Sequence, residues 1–243
     1  MNTQIEARLY VADERGCSPT DQARSYHTFN FGAYVAEGRQ PFGPLYLLND
    51  DSLRAGAGLT LRVEEPTDLL LLPVVGGLEY QMAGTDAPDF LEPGQAGVLS
   101  LATDTSLTVS NPYETETIQF LQIGLKRPSP GGLPAVRHVS FDLGQKNTLL
   151  PLLPPAGPVS APGNRVFIGQ FGGRQDGTYP TESAAGARRG LFAFVLRGAF
   201  EVANRLLHEK DGLSLTYEQS DTLEFEALSN DAILILVDVT RPG

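Results

Sequence analysis

Residues 72–80 read LPVVGGLEY, and residues 194–202 read FVLRGAFEV. In each stretch an apolar run enters a glycine turn, and the turn leads to an apolar residue followed by a glutamate. Shorter alternating segments follow each stretch, and each half then closes with a strongly apolar segment, residues 118–125 and 232–239. This self-similarity indicates that one small structural unit occurs twice in the chain.

The segments around these two stretches alternate apolar and polar residues, as the strands of a half-buried sheet do. Residues 59–64 read LTLRVE, and residues 222–227 read TLEFEA. The chain also contains 26 glycines and 18 prolines, which separate the short segments. This pattern is typical of sandwiches and barrels rather than of helical proteins. We therefore predict an all-β protein built from two small antiparallel barrels.

Residues 127–164 differ in composition from the segments on either side, since they contain many prolines. Such a segment is typical of a linker or a long connection. We predict that it is a crossover between an N-terminal domain, residues 1–126, and a C-terminal domain, residues 165–243.

Composition and charge indicate a globular protein and argue against several classes of partner. The chain is 41% hydrophobic and 19% charged, as ordinary globular proteins are. Its net charge of −11 argues against direct binding to nucleic acid or to an anionic membrane. The longest apolar run, residues 69–75, is too short to cross a bilayer. A single cysteine, Cys17, and an N-terminus without an apolar core favour a cytoplasmic location.

Several short motifs are similar, in order, to those of the pirin family. Residues 24–32 (RSYHTFNFG) resemble the opening motif of that family, and the second half resembles its C-terminal cupin. The remaining matching segments are residues 12–16 (ADERG), 49–51 (NDD), 55–58 (AGAG), 120–123 (FLQI), 194–202 and 210–213 (KDGL). The resemblance covers nearly the whole chain. It implies a bicupin, with two cupin barrels of the double-stranded β-helix, or jelly-roll, type.

The resemblance also implies a metal site that this chain does not preserve. Pirin-like proteins typically bind iron in the N-terminal barrel through three histidines and a glutamate, and some oxidise flavonols such as quercetin. The family's His-x-His pair follows the Gly-Ala-Gly turn, and the alignment places Arg62 and Glu64 there. Its His-x-Glu pair precedes an asparagine, and Leu107 and Val109 take those positions. We therefore expect no cofactor, in contrast to the iron of typical pirins.

The same expectation follows without the family. Iron and copper oxygenase sites use two or three imidazoles and a carboxylate. The chain has only three histidines, His27, His138 and His208, and no two of them have a short ligand spacing. Glu64, Glu65 and Asp68 form an acidic run that is suited either to a hard cation or, as we favour, to a solvated turn.

The altered positions Arg62, Glu64, Leu107 and Val109 define a predicted pocket. In one interpretation Arg62 supplies the positive charge of the missing metal, is held by Glu64 or Glu65, and binds a small acidic or phenolic molecule. In the interpretation we favour, Arg62 and Glu64 pair with each other inside a vestigial pocket. We interpret His27 as a hydrogen-bonded core residue rather than a general base.

These observations predict a pirin-like bicupin without a functional iron site, which acts as a non-catalytic small-molecule-binding or regulatory protein. Two alternatives stay open. One is a quercetin 2,3-dioxygenase-type flavonol oxygenase, and the other is a structural or interaction module. The sequence does not identify a protein partner.

Overall fold

The computed structural model describes residues 4–127, 135–153, 163–181 and 188–241. Strands β1 to β21, numbered in chain order, form most of this part of the chain, and its one helical turn is a 3-10 turn at Ala12–Glu14. The all-β prediction is therefore confirmed. No helix among these residues is long and apolar enough to cross a membrane.

The chain divides into two compact units. The N-terminal unit consists of Gly16–Pro41 and Leu45–Phe141. The C-terminal unit consists of Met1–Arg15, Phe42–Pro44 and Asp142–Gly243.

The N-terminal unit contains a seven-stranded and a four-stranded antiparallel sheet. The larger sheet has the order β12 (Ala135–Ser140), β9 (Gln95–Leu101), β6 (Thr67–Val75), β11 (Ile118–Lys126), β4 (Leu45–Leu53), β3 (Ala23–His27) and β2 (Gly16–Pro19). The smaller sheet has the order β5 (Gly58–Arg62), β10 (Ser106–Ser110), β7 (Leu78–Met82) and β8 (Asp89–Leu91).

The C-terminal unit contains a six-stranded and a four-stranded antiparallel sheet. The larger has the order β1 (Gln4–Tyr10), β19 (Gly212–Tyr217), β16 (Arg188–Arg197), β21 (Ala232–Arg241), β14 (Arg165–Phe171) and β13 (Leu150–Leu153). The smaller has the order β15 (Asp176–Thr181), β20 (Asp221–Ala227), β17 (Phe200–Val202) and β18 (Arg205–Leu207).

The two units repeat one strand order. In each, the strand before the repeated glycine turn, β6 or β16, lies inside the larger sheet, and the strand after it, β7 or β17, belongs to the smaller sheet. Gly76 and Gly198 occupy equivalent positions in this turn, with φ of 70° and 80°. Glycine adopts such angles without strain, and a Cβ at Gly198 would collide with Ser229 Oγ. The turn therefore requires glycine for both conformation and space.

The unit boundaries differ from the expected domains. β1 was expected in the N-terminal domain, but it pairs with β19 and belongs to the C-terminal unit. β12 and β13 lie within the expected crossover, and each pairs with a sheet strand, β9 and β14 respectively. The pairings of β1 with β19 and of β12 with β9 join segments far apart in sequence, so local composition does not reveal them. The proline-rich parts of the crossover, residues 128–134 and 154–162, lie outside the described residues.

Each unit has its own apolar core, formed by the inward-facing residues of both its sheets. In the N-terminal unit, β4 contributes Leu47 and Leu53, β11 contributes Phe120, and β10 contributes Leu107 and Val109. The C-terminal core is separate and includes an aromatic cluster of Phe171, Phe200 and Phe225.

Candidate functional site

Four aliphatic side chains meet where β5 and β10 pair in the N-terminal unit. Leu61 lies directly opposite Leu107, and Leu59 lies opposite Val109. Leu107 and Val109 are fully buried, Leu61 is nearly so, and Leu59 packs against the same core. We call these four residues the aliphatic quartet.

Arg62 does not belong to this interior, contrary to the expectation from the sequence. It lies opposite Ser106, and its guanidinium donates to Asp104 Oδ1 at 2.9 Å, with both side chains 65% exposed. Glu64 is also exposed. Side chains alternate along β5, so Arg62 faces outward where Leu61 faces inward, and Glu64 lies beyond the end of the strand. Arg62 and Glu64 are thus exposed whereas Leu107 and Val109 are buried, and Arg62 pairs with Asp104 rather than with Glu64 or Glu65.

The acidic run beside Arg62 is engaged with cationic and hydroxyl groups. Glu65 Oε1 accepts a hydrogen bond from Lys126 Nζ at 2.6 Å. Asp68 Oδ1 accepts one from Ser100 at 2.6 Å and lies 3.8 Å from Arg127 Nε. This arrangement agrees with a solvated turn rather than with a site for a hard cation.

Strand register shows which β5 residues face the interior beside Leu107 and Val109. The two ligand pairs of a metal site must face the same interior, and the β5 residues that face the interior beside Leu107 and Val109 are Leu59 and Leu61. Arg62 is the strand neighbour of Leu61 and therefore lies on the opposite face of β5. All four of these interior positions therefore carry hydrocarbon side chains.

A transition metal does not fit the aliphatic quartet, because these side chains have no lone pair to donate. Elsewhere in the described ranges no group of three or more His, Cys, Asp or Glu side chains is arranged to hold a metal ion. The donor set of the described residues is thus unlike that of an iron oxygenase.

Tyr80 on β7 lies next to the aliphatic quartet in the same core. It lies opposite Val109 on β7, and Met82 lies opposite Leu107. The Tyr80 hydroxyl donates to Asp89 Oδ2 at 3.2 Å and lies 2.7 Å from His138 Nε2. Burial, and then the charge of Asp89, raises the pKa of Tyr80 far above its usual value. Tyr80 is therefore a neutral phenol.

A second set of interior side chains is polar, and we call it the interior polar group: His27, Asn49, Asp51 and Gln122. All four are at most 2% exposed. Asn49 and Asp51 share the inward face of β4 with Leu47 and Leu53, and Gln122 shares that of β11 with Phe120. Strand pairing brings the set together, since His27 lies opposite Asn49 and Asn49 lies opposite Gln122.

His27 is a satisfied core residue, as the sequence predicted. Its Nε2 lies 2.8 Å from Ser18 Oγ, and its Nδ1 lies 3.0 Å from Asn49 Oδ1. A neutral ring with its proton on Nδ1 satisfies both contacts. Phe31 packs on the ring at a centroid distance of 5.0 Å. Burial lowers the pKa of His27, and the hydrogen bond to Asn49 opposes this effect only in part.

Asp51 and Gln122 are the two members of the group whose hydrogen-bonding capacity is only partly used. Gln122 Nε2 donates to Asp51 Oδ2 at 2.6 Å. Burial raises the pKa of Asp51 to about 6, Ser25 and Gln122 act in the opposite direction, and Asp50 raises it further. Asp51 Oδ1 and Gln122 Oε1 accept no hydrogen bond within the described residues. Sequence reasoning missed this pair, although polar residues at inward positions of otherwise apolar strands were the available signal.

The C-terminal unit has a groove of about 960 Å³ on its four-stranded sheet. Its lining includes Asp176, Glu201, Glu224 and Glu226. Glu226 lies directly between Asp176 and Glu201 across the strands, and it pairs with Arg174 at 3.3 Å. The groove is therefore predominantly anionic.

A buried ionic cluster lies inside the same unit. Asp238 Oδ2 accepts from Arg165 at 3.2 Å and from the Tyr179 hydroxyl at 2.7 Å, and Asp238 Oδ1 accepts from Arg189 Nε at 2.9 Å. Burial and then Asp238 raise the pKa of Tyr179. The dense internal pairing gives this cluster a structural role.

Comparison with known proteins agrees with this architecture. Residues 165–239 match the family model described as the quercetinase C-terminal cupin domain. The crystal structure of YhhW from Escherichia coli superposes with a TM-score of 0.84 over 98% of this chain and 99% of that chain, at 23% identity. A structure of bacterial pirin YhhW with nickel(II) gives a TM-score of 0.83 over 97% of this chain and 100% of that chain, at 22% identity. The chain has the fold of a pirin-like bicupin.

Curated relatives of this chain carry the name quercetin 2,3-dioxygenase. One from Escherichia coli is 27% identical over 142 residues, which are 58% of this chain and 61% of the relative. The match thus spans less than two thirds of that protein's length. A putative quercetin 2,3-dioxygenase from Pasteurella multocida is 23% identical over 94% of this chain and 97% of the relative.

Proposed function

We propose that this pirin-like bicupin acts without an iron centre, as a non-catalytic protein that binds a small molecule. The observation that carries the proposal is the aliphatic quartet. Leu59, Leu61, Leu107 and Val109 face one interior from paired strands and offer no metal ligand. A flavonol oxygenase of the iron type needs imidazole and carboxylate donors at such positions.

The structure favours a phenolic ligand over an acidic one. The case for an acidic ligand rested on an inward Arg62, and that guanidinium is exposed and pairs with Asp104. The interior near the quartet is apolar, with the Tyr80 phenol beside it. An apolar wall suits a flat aromatic molecule, because its burial removes apolar surface from water.

Two measurements on protein made without a histidine tag test the proposal. The first is the iron content after incubation with ferrous iron and desalting, and the second is calorimetric titration with quercetin together with an assay of its oxidation. We expect substoichiometric iron, measurable binding of quercetin and no turnover above buffer. Absence of quercetin binding would remove the phenolic part of the proposal.

The second candidate is a quercetin 2,3-dioxygenase, which the names of the curated relatives favour. Near-stoichiometric iron with quercetin turnover would establish it and would overturn the metal-free proposal. Turnover without iron would contradict the non-catalytic part alone.

A further inference from the structure

The interior polar group contains two buried oxygen atoms that lack a donor. Asp51 is 1% exposed and Gln122 is 2% exposed, and they are held together by the 2.6 Å hydrogen bond from Gln122 Nε2 to Asp51 Oδ2. The other oxygen of each, Asp51 Oδ1 and Gln122 Oε1, has no partner among the described residues. A buried acceptor without a partner is costly, and a buried carboxylate is more so.

Among the described residues, no cation acts on the pKa of Asp51. Its cross-strand neighbours are Ser25 on β3 and Phe120 on β11, and Leu71 lies opposite Gln122 on β6. The groups that act on its pKa are Ser25, Gln122 and Asp50, and none of them is a cation. His27, the nearby titratable group on β3, is held towards its neutral form by burial. An ionised Asp51 is thus uncompensated within the described residues.

We propose that Asp51 and Gln122 bind a small monovalent cation, an alkali ion or ammonium, inside the N-terminal unit. Asp51 Oδ1 and Gln122 Oε1 are oxygen ligands of the kind that hard cations prefer, and Ser25 lies beside them. The single carboxylate matches a single positive charge. Divalent cations are disfavoured because Ca²⁺ sites use several carboxylate oxygens and Mg²⁺ retains its water shell.

This cation site differs in place and chemistry from the family's iron position. The quartet lies where β5 and β10 pair in the four-stranded sheet, whereas Asp51 and Gln122 lie on β4 and β11 of the seven-stranded sheet. The proposal therefore holds or fails independently of the proposed function. The competing occupant is a buried water that donates to both oxygens, and water does not respond to the identity of the salt.

The test is thermal unfolding of the full chain at pH 8 and constant ionic strength. The salts are the chlorides of potassium, sodium, ammonium and N-methyl-D-glucamine, the last being too large for a buried site. We expect a saturable rise in Tm of about 2–4 °C with at least one small cation. Comparison of the Tm values in the alkali and ammonium salts shows whether the bound cation is an alkali ion or ammonium.

Three substitutions locate the effect. Asp51→Asn removes the charged ligand and Gln122→Met removes the amide oxygen at similar volume, so each is expected to abolish the cation dependence. Asp50→Asn, at the adjacent position on β4, is the matched control and is expected to retain it. If Asp51→Asn does not fold, the cation dependence of Tm in Gln122→Met decides whether the proposal holds. Equal Tm in all four salts, or a cation effect that persists in either site variant, would overturn the proposal.

Discussion

Leu61 lies directly across from Leu107 between β5 and β10, with both side chains in the core of the N-terminal unit. Their neighbours Leu59 and Val109 repeat the same pairing one step away on the inward face. This relationship fixes which side of β5 faces the interior. It also indicates which positions could hold a metal if donor side chains were introduced there.

Restoring donors at the quartet is expected to create a metal site. The variant carries Leu59→His, Leu61→His, Leu107→His and Val109→Glu, so three imidazoles and a carboxylate face one interior. We expect it to retain about one equivalent of ferrous iron after desalting, because this is the donor set that such metals prefer. Elemental analysis measures the result, with circular dichroism to confirm folding.

The matched control for this design is the register-shifted variant. It carries Arg62→His and Glu64→His with the same two changes on β10, Leu107→His and Val109→Glu. Its first two histidines face outward, so we expect much less iron than in the quartet design. Equal iron in the two variants would contradict the register assignment.

Arg62 and Leu107 should differ sharply in their contribution to stability. Arg62→Ala removes an exposed ion pair with Asp104, and such pairs contribute about 0–1 kcal/mol. Leu107→Ala leaves a cavity at a fully buried position, which costs about 2–5 kcal/mol. Urea unfolding followed by circular dichroism compares the two free energies of unfolding. A loss above about 2 kcal/mol for Arg62→Ala would mean that its side chain is buried after all.

The sequence predicted the strands more reliably than their partners. Alternation at residues 59–64 and 106–110 correctly indicates two strands, and the inward direction of Leu107 and Val109 follows from it. Arg62 is exposed because it is the last residue of β5 and the strand neighbour of the inward-facing Leu61. The place of β1 was missed because its partner, β19, lies some two hundred residues away in a chain of 243.

Polar residues at inward positions were harder to interpret than apolar ones. His27 was correctly predicted as a hydrogen-bonded core residue, since its aromatic neighbours indicate burial. Asp51 and Gln122 lie on different strands, and only the β4–β11 pairing shows that they meet. A sequence gives each residue's face but not which strands are adjacent.

Stability should depend on pH through Asp51, whose pKa in the folded protein is about 6 against 3.8 as the ordinary value. Because the folded pKa is raised, folding is favoured at low pH, and this contribution is lost as the pH rises through about 6. It amounts to at most about 3 kcal/mol. His27 acts oppositely, since burial lowers its pKa and the folded state loses stability as the pH falls below the ordinary histidine value.

The measurement that isolates Asp51 compares wild type with Asp51→Asn from pH 4 to 8 in N-methyl-D-glucamine buffers. The variant should gain stability relative to wild type as the pH rises, because it cannot carry the buried charge. Asp104→Asn, which removes an exposed carboxylate, should follow the wild-type profile. A difference between wild type and Asp51→Asn that is constant with pH would refute the prediction.

Of the ionic groups in the C-terminal unit, the buried cluster at Asp238 should lose the most stability when one of its members is replaced. Asp238→Asn keeps the shape of the side chain but leaves the guanidiniums of Arg165 and Arg189 buried without their shared carboxylate. Breaking a buried ion pair from one side costs about 3–5 kcal/mol. Tyr179→Phe removes only one hydroxyl donor to that carboxylate and should cost about 1–3 kcal/mol.

Glu201→Gln provides the comparison within the same unit. Glu201 is exposed and faces Glu226 across the strands, so neutralising it removes a repulsion and should leave stability unchanged or slightly higher. Chemical unfolding of the three variants measures the differences, with calorimetry to show whether the two units unfold together. Losses of similar size for Asp238→Asn and Glu201→Gln would contradict the assignment of Asp238 as the shared counter-ion, since only a buried carboxylate leaves two guanidiniums uncompensated when it is removed.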